Sequence, residues 1–408
     1  MFVFRRKHLM FGLALAGFAD LAQAAGFALI EQNASGLGNA YAGAAAVAED
    51  ASTIFFNPAG MTRLPGRQIV VVGHLIKPQA EFSGTVSPAI GGGTGGDAGS
   101  WSFVPNGYFA YRLTPKIHLG VGLNSPFGLK TEYGPGWMGR YQAIKSEVKT
   151  VNLNPSIAYK LSDTLSLGAG LNIQRIEAVL TSLQPLGAPP APTPLVTIKG
   201  DDYGWGYNLG ALWQATPATR IGLSYRSEVA YTLEGTSSTS NPSVTSLNGP
   251  VTADITLPAS ASLSLFHTLS SQWDLLADVT WTGWSSFDRL PIQGTVNKTT
   301  PENWQDILRY SLGATWHMSD KLSLRGGLAY DEAPVSDRYR TPRIPDGART
   351  WVALGGQYRL SGRGAMDFGY AHLFVNSPEL QSTDNGTTLN GQYDSQVDIL
   401  SVQYTHGF

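Results

Sequence analysis

The chain contains no cysteine, so neither disulfides nor thiolate metal sites can hold it together. Charge is scarce as well: Asp, Glu, Lys and Arg make up 14% of 408 residues, against about 25% in ordinary proteins. Long apolar runs are missing too. No stretch approaches the ~18 consecutive apolar residues of a spanning helix, which excludes a helical membrane protein. A net charge of −2 lacks the basic footprint of a nucleic-acid partner. The seven histidines are scattered, with no two at ligand spacing, so no metal and no cofactor are expected. Gly91 to Gly96 formally satisfies G-x-G-x-x-G, but no βαβ unit surrounds it. There is no G-x-S-x-G elbow either. What is plentiful is glycine, 47 residues where about 29 follow from ~7% usage, and aromatic side chains, at 11%.

The first segment is a secretory signal peptide by its parts. Arg5, Arg6 and Lys7 precede the apolar run Leu9 to Phe18, and Ala22-Gln23-Ala24 forms a small-residue cleavage site. Cleavage after Ala24 assigns residues 1–24 to the signal. From about residue 67 the pattern has period two. Leu400, Val402, Tyr404, His406 and Phe408 share one face, and Ser401, Gln403, Thr405 and Gly407 the other. Tyr310 and Leu312 alternate with Arg309 and Ser311, and Leu324 and Leu328 with Ser323 and Arg325. Side chains at i and i+2 share a strand face, so each segment is apolar on one side only.

Many segments exceed the five or six residues usual in soluble strands. Aromatics gather near segment ends, as in Trp281 and Trp284, Tyr225 and Tyr231, and Tyr370 and Phe374, where interfacial girdles belong. In a membrane no strand edge can stay unpaired, so such strands close into a barrel. The fold class is therefore all-β: an antiparallel transmembrane β-barrel over residues 67–408. Fourteen strands are expected, beginning near Gln68, Trp101, His118, Glu147, Leu165, Asp202, Thr219, Val251, Gln272, Asp306, Leu322, Ala348, Ala365 and Gln396. Short turns alternate with long loops, separating a periplasmic from an extracellular rim. Residues 25–66 break the pattern. Their Gly-Ala stretches and buried-type side chains (Leu29, Leu37, Tyr41, Ile54, Phe55 and Met61) suit an N-terminal hatch, or plug, inside the lumen.

Gly26-Phe27, Ser35-Gly36-Leu37-Gly38, Asn57-Pro58-Ala59, Ser125-Pro126-Phe127-Gly128, Tyr225-Arg226-Ser227-Glu228, Trp284-Ser285-Ser286-Phe287 and Ile344-Pro345-Asp346 follow one another along the chain. In that order and spacing the chain resembles the FadL-type long-chain fatty-acid transporters of Gram-negative outer membranes, over essentially the whole mature sequence. The resemblance implies a monomeric, hatch-closed fourteen-stranded barrel among outer-membrane lipid and lipopolysaccharide. It also implies uptake of hydrophobic molecules: capture at extracellular loops, transfer to a lumen pocket, and lateral release at a kinked third strand. That kink would involve Gly120, Gly122, Pro126 and Gly128, since proline cannot donate to a ladder and glycine weakens a strand. The hatch turn Asn57-Pro58-Ala59 would sit against it.

An anionic cargo needs a lumen cation. Alternation turns Arg226, Arg309 and Arg325 inward, together with Glu228, Asp278, Asp331 and Asp367. Arg140 and Lys145 lie toward the loops. The cargo is a fatty acid on this reading, with monoaromatic hydrocarbons or alkanes as the alternative. Two readings come from other classes. One is a lipid hydrolase on a barrel, with His317 or His372 beside an inward serine; the other is a general porin. Transport without enzymatic activity is the expectation.

Overall fold

A computed structural model describes residues 26–187, 193–241, 243–360 and 362–408. The signal peptide expected at 1–24 lies outside the described residues. Fourteen strands form one closed antiparallel barrel: β1 (Arg67–Ser87), β2 (Ser102–Arg112), β3 (Ile117–Asn124 and Gly128–Glu132), β4 (Lys145–Lys160) and β5 (Leu165–Leu183). They continue as β6 (Leu195–Thr216), β7 (Thr219–Arg226 and Val229–Thr239), β8 (Gly249–Leu257 and Ser260–Thr268), β9 (Trp273–Thr282 and Arg289–Gly294) and β10 (Ile307–His317). The last four are β11 (Leu322–Asp331), β12 (Arg349–Arg359), β13 (Gly364–Val375) and β14 (Thr387–Gly407). The ring closes where β1 pairs with β14, from Gln68 opposite Gly407 to Ser87 opposite Thr388.

The fourteen expected segments each became a strand. β6 and β14 begin earlier than expected, at Leu195 and Thr387. Their upper ends continue as hairpins beyond the lipid, where neither face needs to be apolar and the alternation fades. Within the lipid zone the pattern holds: Leu400, Val402 and Tyr404 are exposed while Ser401, Gln403 and Thr405 are buried.

Three neighbouring strands break at one level, β7 at Ser227-Glu228, β8 at Pro258-Ala259 and β9 between Thr282 and Arg289. In β7 and β8 the inward positions step by three across the break, from Arg226 to Val229 and from Leu257 to Ser260, so there the faces no longer continue in phase. Part of the girdle assignment is corrected. Tyr231 and Trp284 are buried inside the barrel, whereas Tyr225, Tyr370 and Phe374 are exposed to lipid as expected. Glu228, expected inward, is exposed in the break itself.

Residues 26–66 lie inside the ring. One-turn helices α1 (Ala34–Leu37), α2 (Ala44–Val47) and α3 (Thr53–Phe56) lead to a 3-10 turn, Pro58–Arg63. Positive φ at Gly43 and Ala48 stops α2 at one turn. The segment is tied to opposite walls. Ala34 N donates to Gln403 Oε1 on β14 at 3.0 Å, Asn39 Nδ2 to Ala314 O on β10 at 2.8 Å, and Ala45 N to Ser264 Oγ on β8 at 3.0 Å. Wall glycines permit this approach: a Cβ on Gly222 would stand 2.1 Å from Ala45 O, and one on Gly327 2.2 Å from the Asn39 carbonyl carbon.

Candidate functional site

The third strand is broken at Ser125-Pro126-Phe127. Asn124 pairs with Asn152 and Gly128 with Lys149, so three residues of β3 face two of β4. On the other side β2 pairs with β3 only from Gly107↔Leu123 to Arg112↔His118. Above that level Ser102–Asn106 of β2 pairs with β1 alone, and the wall between β2 and β3 parts. Gly120 and Gly122, expected to help make the kink, lie in the regular half of β3. Gly120 makes room instead: its missing Cβ would fall 2.5 Å from Met61 Sδ.

Residues 27–32 occupy the edge that β2 leaves free. Leu29 N donates to Pro126 O at 2.8 Å and Gly128 N to Phe27 O at 3.0 Å, a short antiparallel bridge. Asn106 closes the corner, its Nδ2 donating to Glu31 O at 2.9 Å and its Oδ1 accepting from Ser125 N at 3.3 Å. Gln32 Nε2 donates to Ser125 O at 3.0 Å. The upper end is fixed by the Ile344-Pro345-Asp346 turn, where Asp346 Oδ2 accepts from Gly26 N at 2.6 Å. Arg349 Nη2 bonds both Gly26 O, at 3.0 Å, and Asp346 Oδ1, at 2.7 Å.

Asn57-Pro58-Ala59 is elsewhere. Asn57 Nδ2 donates to Ala45 O at 2.7 Å and to Ala211 O on β6 at 3.0 Å, while Ala59 N bonds Asn57 Oδ1 at 3.1 Å. The turn caps a 3-10 helix and presses on Gly168 of β5 and Gly210 of β6. It does not touch the kink; residues 27–32 do.

Two apolar cavities flank this bridge. The central one, about 140 Å³, is walled by Leu29, Phe55, Phe56, Phe127 and Trp351 with Arg226 and Arg309 among them. The upper one, about 80 Å³, is walled by Val148, Ile176, Leu233, Ile255 and Leu290 with Arg343 and Glu302. Phe27 stands in the aromatic cluster that the strand breaks turn inward. Its ring centroid is 4.8 Å from Trp284, 5.9 Å from Phe287, 5.8 Å from Trp304 and 6.1 Å from Phe127.

The three inward arginines have different surroundings. Arg325 is held by two acids, Asp367 at 2.6 Å and Glu49, and lies outside both apolar cavities. Arg309 Nε is 2.8 Å from Asp331 Oδ1, at an angle poor for a hydrogen bond, and the guanidinium lies over Trp351. Arg226 alone of the three has only neutral partners among the described residues: Asn172 Oδ1, Phe55 O at 3.0 Å, and the Phe55 ring beneath it at 4.2 Å. Of the loop cations, Arg140 staples Ile90 O and Gly91 O, and Lys145 pairs with Glu147 at 3.0 Å.

Arg343 was not singled out by sequence. It stands immediately before Ile344-Pro345-Asp346, in a loop where alternation gives no direction. It donates to Gln142 O at 2.7 Å and Ser146 Oγ at 3.0 Å, with no carboxylate in ion-pair contact among the described residues. Burial lowers its pKa to about 10, against the attraction of Asp384 and Glu302. Burial also raises Glu302 to about 8, opposed by Trp304 Nε1 at 3.2 Å and by Arg343. At neutral pH Glu302 is therefore mostly protonated, and Asp384 is engaged by Lys298. Arg343 keeps its charge without a direct carboxylate partner among the described residues, at the head of an apolar cavity.

Known proteins agree with this architecture. The 47 kDa outer membrane protein of Pasteurella multocida is 34% identical over 388 residues, covering 88% of this chain and 90% of the relative. A long-chain fatty acid transport protein of Escherichia coli is 27% identical over 435 residues, 97% of each chain. The crystal structure of a Pseudomonas aeruginosa FadL homologue superposes with a TM-score of 0.87 at 25% identity, over 94% of this chain and 99% of that one. The Ralstonia pickettii toluene transporter TbuX shares the fold, with a TM-score of 0.68 at 19% identity over 92% of this chain and 98% of that one. The family model for outer membrane protein transport proteins (OMPP1/FadL/TodX) matches residues 15–408. The chain belongs to that family, and is an outer-membrane β-barrel transporter of hydrophobic molecules.

Proposed function

We propose that the cargo is a long-chain fatty acid, and that it leaves the barrel sideways. The observation that carries this reading is the pair of guanidiniums, Arg343 and Arg226, each on an apolar cavity and each bonded only to neutral groups. A buried cation without an acid is costly, and a carboxylate that enters with an alkyl tail offsets that cost. The head group is taken first by Arg343 and then by Arg226, on opposite sides of Phe27. Residues 26–66 serve as the hatch, and residues 27–32 are its movable edge. When they leave Pro126–Gly128, the central cavity opens between β2 and β3 toward lipid. Lateral release keeps the tail out of water, which would cost about 0.8 kcal/mol per CH₂. The protein works on this reading as a monomer within outer-membrane lipid and lipopolysaccharide.

The size of the central cavity favours a second reading. At about 140 Å³ it matches the ~150 Å³ apolar cavity that accommodates benzene, so a monoaromatic hydrocarbon needs no rearrangement. Uptake of labelled oleate and labelled toluene by cells expressing the protein or its Arg226→Gln variant separates the two. A charge-assisted bond contributes about 1.5–3 kcal/mol. Oleate affinity should therefore fall roughly 10- to 150-fold in the variant while toluene entry is unchanged. Equal effects on both cargoes, or none on oleate, would refute the carboxylate reading.

A further inference from the structure

On the periplasmic side, below both apolar cavities, a third cavity of about 300 Å³ carries a different chemistry. Three inward residues on successive strands meet on its wall: Asp274 of β9, His317 of β10 and Ser323 of β11. His317 Nε2 lies 2.7 Å from Asp274 Oδ2, and His317 Nδ1 lies 3.0 Å from Ser323 Oγ. Both ring nitrogens are engaged, so a flipped ring would put carbon in both places. An Nε2–H held by the carboxylate leaves a lone pair on Nδ1 aimed at the serine hydroxyl. That is the arrangement of an activated nucleophile, its base and the group that orients the base. The barrel fixes it, because His317 and Ser323 are directly paired across the β10–β11 ladder. Ser323 is paired in turn with Gln357 of β12, which lines the same cavity.

We infer that this cavity is a serine esterase site, separate from the transport route and independent of the cargo assigned above. Ser323 Oγ would attack an ester carbonyl carbon while its proton passes to His317 Nδ1. The carbon–oxygen bond to the alcohol then breaks, and the alkoxide leaves with that proton. Water, deprotonated by His317, attacks acyl-Ser323 and releases the carboxylic acid, returning the proton to Ser323. Asp274 stays ionised and holds the imidazolium. Arg359, two residues beyond Gln357 on the same strand face, also lines the cavity and would supply a cation for the negative charge that develops on the carbonyl oxygen. Phe56, Phe266 and Leu276 give the cavity an apolar side, and Arg220, stacked at 4.0 Å on Phe266, gives it a cationic one. The fitting substrate is a single-chain acyl ester with a polar or anionic alcohol portion.

The test uses the folded full barrel in detergent. A biotinylated fluorophosphonate should label the intact protein on the peptide that carries Ser323, with no label after heat denaturation. Because that arm needs no variant, a misfolded mutant cannot obscure it. Hydrolysis of p-nitrophenyl butyrate should fall on the order of 10²–10⁴-fold in His317→Gln and reach the uncatalysed rate in Ser323→Ala. Folding of each variant is checked by its heat-modifiable gel mobility. No label on Ser323, or full hydrolysis by Ser323→Ala, would show the three residues to be a polar row of the barrel wall and overturn the assignment. Neither readout depends on oleate uptake, so each reading can fail without the other.

Discussion

Phe27 is the residue on which the proposed latch is most exposed to test. Its side chain is 4% exposed and meets Phe127, Trp284, Phe287 and Trp304, three of them outside the strand it bridges. Truncation to alanine removes those contacts and opens a void between the two apolar cavities. Burying a phenylalanine this fully is worth about 3–5 kcal/mol against alanine. The backbone bridge to Pro126 and Gly128 adds two hydrogen bonds, each contributing only about 0.5–1.5 kcal/mol. The ring therefore outweighs the bridge. Phe27→Ala should raise the released fraction of residues 26–32 by roughly 150- to 4,000-fold. Limited proteolysis of the protein in outer-membrane vesicles reads this directly, as faster cleavage near Ile30 without loss of the folded barrel. Uptake of toluene should rise at the same time. Phe82→Ala is the control, because Phe82 is as buried but sits in a separate cluster with Trp137 and Tyr393. If residues 26–32 stay protected in Phe27→Ala, or if Phe82→Ala releases them equally, the aromatic seat does not hold the latch.

Gly327→Ala places a methyl carbon 2.2–2.6 Å from the backbone of Asn39 and Ala40. Overpacking of this kind costs about 1–3 kcal/mol and should unseat the plug while β11 still pairs with β10 and β12. Larger ion conductance in planar bilayers is the expected result, and wild-type conductance would contradict it. Glu302 sets a pH dependence. Its folded-state pKa of about 8 lies above the ordinary 4.5, so the folded state resists ionisation that the unfolded chain undergoes freely. Stability from this group is highest below pH 4.5, declines as pH rises toward 8, and is level beyond. Above pH 8 its carboxylate competes for Arg343, so oleate affinity, followed by tryptophan fluorescence, should drop between pH 7 and 9. Glu302→Gln should abolish that drop, and an unchanged inflection in the variant would sink the idea.

The barrel was legible because its physics is periodic. A lipid face at every second residue writes itself into Leu400, Val402 and Tyr404 as plainly as a lumen face does into Ser401, Gln403 and Thr405. The same rule placed Arg226, Arg309 and Arg325 inward. It failed where the chain slips phase. After Ser227-Glu228 the faces exchange, so Tyr231 reads as a girdle residue although it lines the lumen, whereas Trp284 keeps the inward parity of Asp278 and is buried in the 3-10 turn Trp284–Ser286. Nor could alternation tell the three arginines apart, because what distinguishes them is a partner far along the chain: Asp367 for Arg325, Asp331 for Arg309, and none but Asn172 and Phe55 for Arg226. Arg343 sits in a loop, where no period operates. The Ser323, His317 and Asp274 grouping needs three strands in register, and only the paired barrel supplies that.

In the proposed lateral release, the break in β3 and residues 27–32 form a single device. In hydrocarbon an unpaired strand edge leaves N–H and C=O groups without partners, at several kcal/mol each. A permanent gap between β2 and β3 would carry that cost along every residue above Leu123. Three features reduce it. Pro105 and Pro126 each remove one donor from the flanking strands. Asn106 bonds Glu31 O and Ser125 N with its side chain, so one residue covers two backbone groups across the corner. Phe27 and Leu29 then cover the groups of Gly128 and Pro126 that remain. Opening therefore exposes few backbone groups, and those can be met by the ends of β2 and β3 moving together or by the cargo head group. A glycine in place of Pro126 would bend as easily, but it would add a donor that must be satisfied each time residues 27–32 depart. Proline at the break makes a lateral opening in lipid affordable in a way that flexibility alone does not.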